Sequence, residues 1–292
     1  MDHIGRIGVN VNGDLSDEEI VEIAKLVEEI GVRIVWIGEF EGFRDPFEIA
    51  ELIAKNTSLL IGFGVITSNR DCRDVISAVE DLRGDFGDRF IVGIAAGKFK
   101  NPMEAFKRTI RCAKLLKRSF KTFVGCSSPK ITRESSKFAD GILFNYVNPE
   151  YLKWITKFLE RGVFKVAYGP ALILPSEFEE DLLIASCIVS LSSERFIREF
   201  KLERIAEELK TVDVYELIDL RRSGRSIELS RNSKTLYKYK DFLLSNFTIS
   251  GGLSDVIVKI KSILKICDHV VLADPFYRDK KSLMLLRHIV EI

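Results

Sequence analysis

The chain has 292 residues, 46% of them hydrophobic and 30% charged, with 44 Lys and Arg against 43 Asp and Glu for a formal charge of +1. That balance gives no electrostatic ground for nucleic acid or an anionic membrane as a partner, and no apolar run approaches the ~20 residues needed to span a bilayer. The length suits one β/α barrel, and the N-terminus MDHIGRIG lacks the form of a signal peptide, so a cytoplasmic protein is expected.

Five cysteines, odd in number and without a C-x-x-C pair, read as a reduced thiol set. Glutamine is absent and both charge signs are interspersed, a composition that suits a thermophile.

Ile4 to Val11 reads as the first strand, ending in Asn10 and Asn12. Ser16 caps a helix from Asp17 to Ile30, with Glu19 completing a capping box and Gly31 ending it. Arg33 to Ile37 is a second strand, apolar on both faces as a buried parallel strand must be. Glu39 and Glu41 follow it. Asp45-Pro46 then signals the next helix. Leu59 to Ile66 is the third strand, where Gly62 and Gly64 imply either a bulge or tight corner, or close approach by another group.

The alternation continues with a helix over Asp71–Leu82, a strand over Phe90–Ala96 and a helix over Pro102–Phe120. Thr122–Cys126 is the fifth strand, and Ser127-Ser128-Pro129-Lys130 opens another helix. Ile142–Val147 is the sixth strand, residues 150–160 a helix and Phe164–Leu174 the seventh strand. Residues 175–246 break the pattern and read as several helices, LERIAEELK and VDVYELIDL being the clearest, with Arg221–Lys240 unassigned. A helix over 253–265, the eighth strand His269–Ala273 and a helix over 279–291 close the chain. Eight buried strands alternating with helices predict a single α/β domain over 1–292, a TIM (β/α)8 barrel with a helical insertion between strands 7 and 8.

A barrel's active site lies at the C-terminal ends of its strands. That rule selects Asn10 and Asn12, Glu39 and Glu41, Thr67 to Asn69, Gly97 and Lys98, Cys126 to Ser128, Asn145 and Tyr146, Tyr168 and Asp274. His3, His269 and His288 all fall outside this set, so no metal centre is expected. A mouth of amides, hydroxyls and backbone suits a planar cofactor that brings its own chemistry. Its phosphate has two candidate places, Ser127–Lys130 at a helix start and Gly97-Lys98, the alternative being an ordinary cap with a solvated lysine. Glu39 is the candidate catalytic carboxylate, able to steer a proton or stabilise a cationic ring; the alternative is a rim carboxylate paired with Arg44 or Lys98. Cys126 is either reactive beside a helix N-terminus or simply buried.

Residues 33–69 (RIVWIGEFEGFRDPFEIAELIAKNTSLLIGFGVITSN) resemble the second and third strands of the luciferase-like superfamily, and more narrowly its deazaflavin-dependent methylenetetrahydromethanopterin reductases. KTFVGCSSPKITRESSKFADGILFNYVNPEYLKWITKFLERG, FTISGGLSDVIVKIK and HVVLADPF resemble later parts of the same proteins. The resemblance implies a luciferase-like barrel and a cis Gly64–Val65 peptide backing the cofactor ring. It further implies coenzyme F420, with FMN as the alternative, held by Asn10, Gly64, Val65, Thr67, Gly97, Lys98, Cys126, Ser127, Ser128 and Asn145, with Glu39 catalytic. A small-molecule substrate, a pterin among the candidates, and a homo-oligomer would follow. The chain departs from the pattern at Asn10 and Lys98, where relatives carry acidic groups, at Glu39-Phe40, where many carry Asp-His, and at Ser128, where a glycine is usual. A non-catalytic barrel that keeps a ligand pocket or an oligomer interface is the competing reading.

Overall fold

The computed structural model of the chain describes residues 4–97 and 99–291. Strand and helix alternate from the start: β1 (Ile7–Asn10), α1 (Asp17–Glu29), β2 (Ile34–Ile37), α2 (Pro46–Asn56), β3 (Leu60–Thr67) and α3 (Cys72–Phe86). There follow β4 (Phe90–Ala95), α4 (Pro102–Leu116), β5 (Lys121–Cys126), α5 (Pro129–Ser136), β6 (Gly141–Phe144), α6 (Pro149–Thr156) and β7 (Phe164–Ile173). A polar residue before proline starts four of these helices, and in three of them its side chain accepts a backbone N–H: Asp45, Asn101 and Asn148. Ser16 and Glu19 form the expected capping box of α1.

The strands pair in parallel in chain order from β1 to β7. The ring closes through β9 (His269–Ala273), which pairs with both β7 and β1. This is the expected closed eight-stranded barrel. Period-two alternation sends Val35, Ile37, Phe63, Val92, Val124 and Leu272 outward onto the helices, and Ile34, Trp36, Ile91, Phe123, Leu143, Val166 and Val271 into the barrel. Trp36 is fully buried there and donates its indole N–H to His269 Nε2 at 3.1 Å. The indole fills the space that a Cβ on Gly62 would need, 2.4 Å from Trp36 Cε3. Gly62 is therefore a packing position inside the barrel, and Trp36 lies beneath the mouth.

Past β7 the chain departs from the barrel. Six helices follow: α7 (Glu179–Ser190), α8 (Glu194–Glu199), α9 (Glu203–Leu209), α10 (Val214–Arg222), α11 (Ser233–Lys238) and α12 (Lys240–Phe247). Their buried apolar side chains belong to the same contiguous cluster as the outer layer of the barrel. The unassigned Arg221–Lys240 stretch contains the end of α10, a 3₁₀ turn at Ile227–Leu229 and α11. A ninth strand, β8 (Ile249–Gly251), was not foreseen. It pairs with the far half of β7, outside the closed ring, where that ten-residue strand would otherwise leave an open edge. The helix α13 (Leu253–Ile263) follows. The expected closing helix is two, α14 (Lys280–Leu285) and α15 (Arg287–Val290), after a 3₁₀ turn at Phe276–Arg278.

The thiols differ from expectation. Cys72, at the start of α3, is joined by a disulfide to Cys112 in α4, with Cα atoms 5.5 Å apart, while Cys126, Cys187 and Cys267 are free and buried. The pair is 40 residues apart in sequence and becomes adjacent only because consecutive barrel helices pack side by side. Among the described residues no helix is long and apolar enough to cross a membrane.

Candidate active site

The C-terminal ends of the strands carry two cavities, which meet at Gly64, Asn145 and Tyr168. The outer one is a cleft of about 760 Å³. Its floor is built from small residues, Val65, Ala95, Ala96, Gly97 and Gly125, at the ends of β3, β4 and β5. Larger side chains have no room there: a Cβ on Gly125 would lie 2.8 Å from Ala95 Cβ, and one on Gly64 2.7 Å from Tyr168 Cε2. The result is a flat backbone surface. One wall is Phe99, Met103 and Phe106, before and in the first turns of α4; the other is the α5 N-terminus and residues 192–195, which lead into and open α8.

The Gly64–Val65 peptide is cis, as the resemblance implied, and β3 shifts register against β4 between Phe63 and Ile66. Val65 O accepts the Glu39 N–H at 3.1 Å, which ties the bulge to the end of β2. At the α5 end, Ser128 is the N-cap yet makes no side-chain cap bond, so its hydroxyl is not committed to the helix. Ser127 donates to Ser192 O at 3.3 Å, and Lys130 sits at the rim with Nζ 4.5 Å from the Phe106 ring.

The second, inner cavity has a volume of about 250 Å³ and lies under α7 and α10. Asn10 is buried there, donating to Asn12 Oδ1 at 2.9 Å and to Trp36 O at 3.0 Å. Asn12 Oδ1 also accepts the Gly38 N–H, so the two amides fasten β1 to the end of β2. Phe40, Phe43, Ile184 and Ile188 give the cavity an apolar roof. Its polar side is a charge cluster. Asp14 accepts from Tyr277 Oη at 2.6 Å and pairs with Arg278, whose Nη2 lies 2.7 Å from Asp14 Oδ2; Arg278 Nε lies 2.9 Å from Asp274 Oδ1. Arg221 bridges Asp181 (2.9 Å) and Glu180 (3.0 Å). Burial, with Asp14 and Asp181 nearby, pushes the Asp274 carboxyl up to about 6 against the pull of Arg278. Burial and then the Asp274 charge push the Tyr168 phenol well above its ordinary value.

Most of the expected residues converge on this mouth. Asn10 and Glu39 line the inner cavity; Val65, Gly97, Cys126, Ser127 and Ser128 line the outer cleft; Gly64 and Asn145 line both. Thr67 lines neither, its N–H donating to Glu39 Oε2 at 2.7 Å. Lys98 lies outside the described residues. Two expectations are corrected and one open alternative is decided. Glu39 pairs with Arg70, which also reaches Asp45, rather than with Arg44, because the β3–α3 turn brings Arg70 across the end of β2. Of the two readings of Cys126, the buried one holds: it is part of the wall, and burial pushes its thiol up to about 12. Tyr146 is turned behind the wall, donating to Ser127 O at 2.6 Å and stacking on Phe196 at 4.8 Å. Asp14, Asp181, Arg221 and Arg278 were missed.

No protein-family model matches the chain. A 5,10-methylenetetrahydromethanopterin reductase of Methanolobus tindarius is 24% identical over 187 residues, covering 52% of this chain and 57% of that protein, so the chain spans little more than half the length of this curated relative. Among solved structures, the coenzyme F420 dependent tetrahydromethanopterin reductase of Methanopyrus kandleri superposes with a TM-score of 0.76 at 17% identity, over 98% of both chains. The chain has the luciferase-like barrel fold. An F420-dependent secondary alcohol dehydrogenase (TM-score 0.68, 9% identity, 98% of both chains) shares it. So does the long-chain alkane monooxygenase LadA (0.65, 8% identity, 100% of this chain and 91% of that one). The likeness read in residues 33–69 is thus met again, in sequence over part of the chain and in fold over nearly all of it.

Proposed function

We propose that the chain is an oxidoreductase that holds coenzyme F420 in the outer cleft and exchanges hydride with a small, pterin-like substrate in the inner cavity. The observation that carries this reading is the junction of the two cavities at Gly64. There a flat backbone floor lets a planar ring lie with one face toward the substrate side. The volume of the cleft is within the range of cofactor sites. When bound, the deazaflavin would supply hydride chemistry at its C5; the protein supplies position and electrostatics. Gly64 and Val65 would back the ring, while Ser127, Ser128 and the α5 amides would meet the phosphate with Lys130 at the rim. Glu39, fixed by Arg70, would sit beside the ring as a fixed negative charge. FMN has the same tricyclic shape and anionic tail and is the competing occupant.

Titration of the purified protein with each cofactor at low salt, followed by difference absorbance, tests this. Ser128→Ala and Lys130→Ala should weaken binding, and the Lys130→Ala loss should shrink as salt rises. If neither cofactor binds up to about a millimolar, corresponding to only about 4 kcal/mol, the oxidoreductase reading fails.

A further inference from the structure

We propose that the inner cavity receives a positively charged or N–H-bearing edge of the substrate, an amidine-like group or a protonated amine, and that Asp274 is the carboxylate that meets it. The inference rests on taking the inner cavity as the substrate side of the cleft. Four carboxylates, Asp14, Glu180, Asp181 and Asp274, share two guanidinium groups, Arg221 and Arg278. Two of the four are already fully engaged. Asp14 accepts from Tyr277 on Oδ1 and forms an ion pair with Arg278 through Oδ2, and Glu180 accepts from Ser226, Tyr237 and the Ile227 N–H besides pairing with Arg221.

Asp274 differs. Its Oδ1 lies near Arg278 Nε at an angle that makes no hydrogen bond, and both atoms are buried without a hydrogen-bond partner. Buried polar atoms of this kind are uncommon, and a carboxylate has about four acceptor positions to fill. The side chain is 32% exposed, and Asp274 lines the inner cavity. Two other carboxylates line this cavity: Glu39 has one oxygen on Arg70 and the other on the Thr67 N–H, and Asp181 accepts from Arg221 Nε at 2.9 Å. The apolar lining suits the organic body of a cation: Phe43, on the same cavity, already carries the Arg222 guanidinium 4.8 Å from its ring centre.

Benzamidinium is a suitable probe, with benzamide and benzoate as neutral and anionic counterparts of the same shape. Calorimetry on the full chain should show benzamidinium binding, benzamide binding more weakly and benzoate not at all. Asp274→Asn should weaken benzamidinium by about tenfold to a hundredfold, the loss of a charge-assisted bond. The groups facing Asp274 are Arg278 and Tyr277 from the 3₁₀ turn, Asp14 from the β1–α1 loop, Asp181 from α7 and Tyr168 from β7. Since the carboxyl titrates at about 6, benzamidinium affinity in the unaltered protein should fall between about pH 7.5 and 5, with proton release on binding near pH 6. This pH arm needs no variant to fold. Equal binding of benzoate, an unchanged affinity in Asp274→Asn with a flat pH profile, or no binding of any probe would each overturn the inference. F420 and FMN titrations of the same samples separate the two readings: benzamidinium binding without either cofactor would sink the oxidoreductase reading and leave the inner site standing.

Discussion

Glu39 and Arg70 form an ion pair that spans the ends of β2 and β3, with Arg70 extending it to Asp45 at the start of α2. The pair is partly shielded, with side chains 19% and 31% exposed, so its worth is near the upper end for such bridges. Glu39→Gln keeps an acceptor for the Thr67 N–H but removes the charge. It should cost about 1 kcal/mol of stability in denaturant unfolding. Cofactor-dependent turnover should fall by about tenfold or more, while cofactor affinity moves less than about threefold. Equal losses in affinity and turnover would mean that Glu39 only shapes the cleft.

Gly64 and Gly62 separate ligand contact from packing. A Cβ at either would crowd Trp36, at 3.1 Å and 2.4 Å, but Gly64 also meets Tyr168 and lines both cavities, while Gly62 lines neither. Gly62→Ala and Gly64→Ala should each cost about 1–3 kcal/mol of stability. Only Gly64→Ala should also weaken cofactor binding strongly. Thermal melts and cofactor titrations of both variants, side by side, check this.

The barrel fold was legible because two-sided burial writes long apolar runs such as Arg33–Ile37 and Phe90–Ala95 into the sequence, and because proline after Asp45, Asn101, Ser128 and Asn148 marks the helix starts. The outer cleft was legible for a related reason: strand ends and glycines have sequence signatures. The inner cavity was legible only in part, through the strand-end residues Asn10, Asn12, Glu39, Asn145, Tyr168 and Asp274. Its polar side joins Asp14 to Arg278 and Asp181 to Arg221 across the fold, and nothing local in DLSDEE or VYELIDLRR marks those partnerships. β8 escaped for a different reason, since three residues carry no periodicity. The Cys72–Cys112 pair needed the packing of α3 on α4 to become visible.

That disulfide makes a direct prediction. Denatured without reductant, the chain should show three titratable thiols, and five after reduction. By loop-closure entropy over a separation of 40 residues, reduction should lower stability by about 4 kcal/mol. Five thiols in the unreduced protein would refute the bridge.

His269 should set the response to acid. Burial lowers its folded pKa to about 4, and Trp36 donates to Nε2, so the neutral ring carries its proton on Nδ1 toward Gly5 O at 2.9 Å. The unfolded chain binds that proton near pH 6.5, so stability is full above that pH and is lost as pH falls toward 4, by roughly 3 kcal/mol. Asp274 works in the opposite sense. Its raised folded pKa contributes stability at low pH that disappears as pH rises through about 6. Urea unfolding between about pH 4 and 7 should therefore show a steeper acid loss in Asp274→Asn than in the parent protein.

The segment from Asp181 to Arg195 touches both compartments. Asp181, Ile184 and Ile188 of α7 roof the inner cavity, and Ser192 to Arg195, directly after it, wall the outer cleft. If a ligand that presses on one end of this segment shifts the other, the two affinities would be linked through a single lever and by the same factor in each direction. The same placement gives evolution one dial for both tasks. Changes confined to residues 181–195 can retune what the barrel accepts while all eight strands, and the Trp36 plug beneath them, stay as they are.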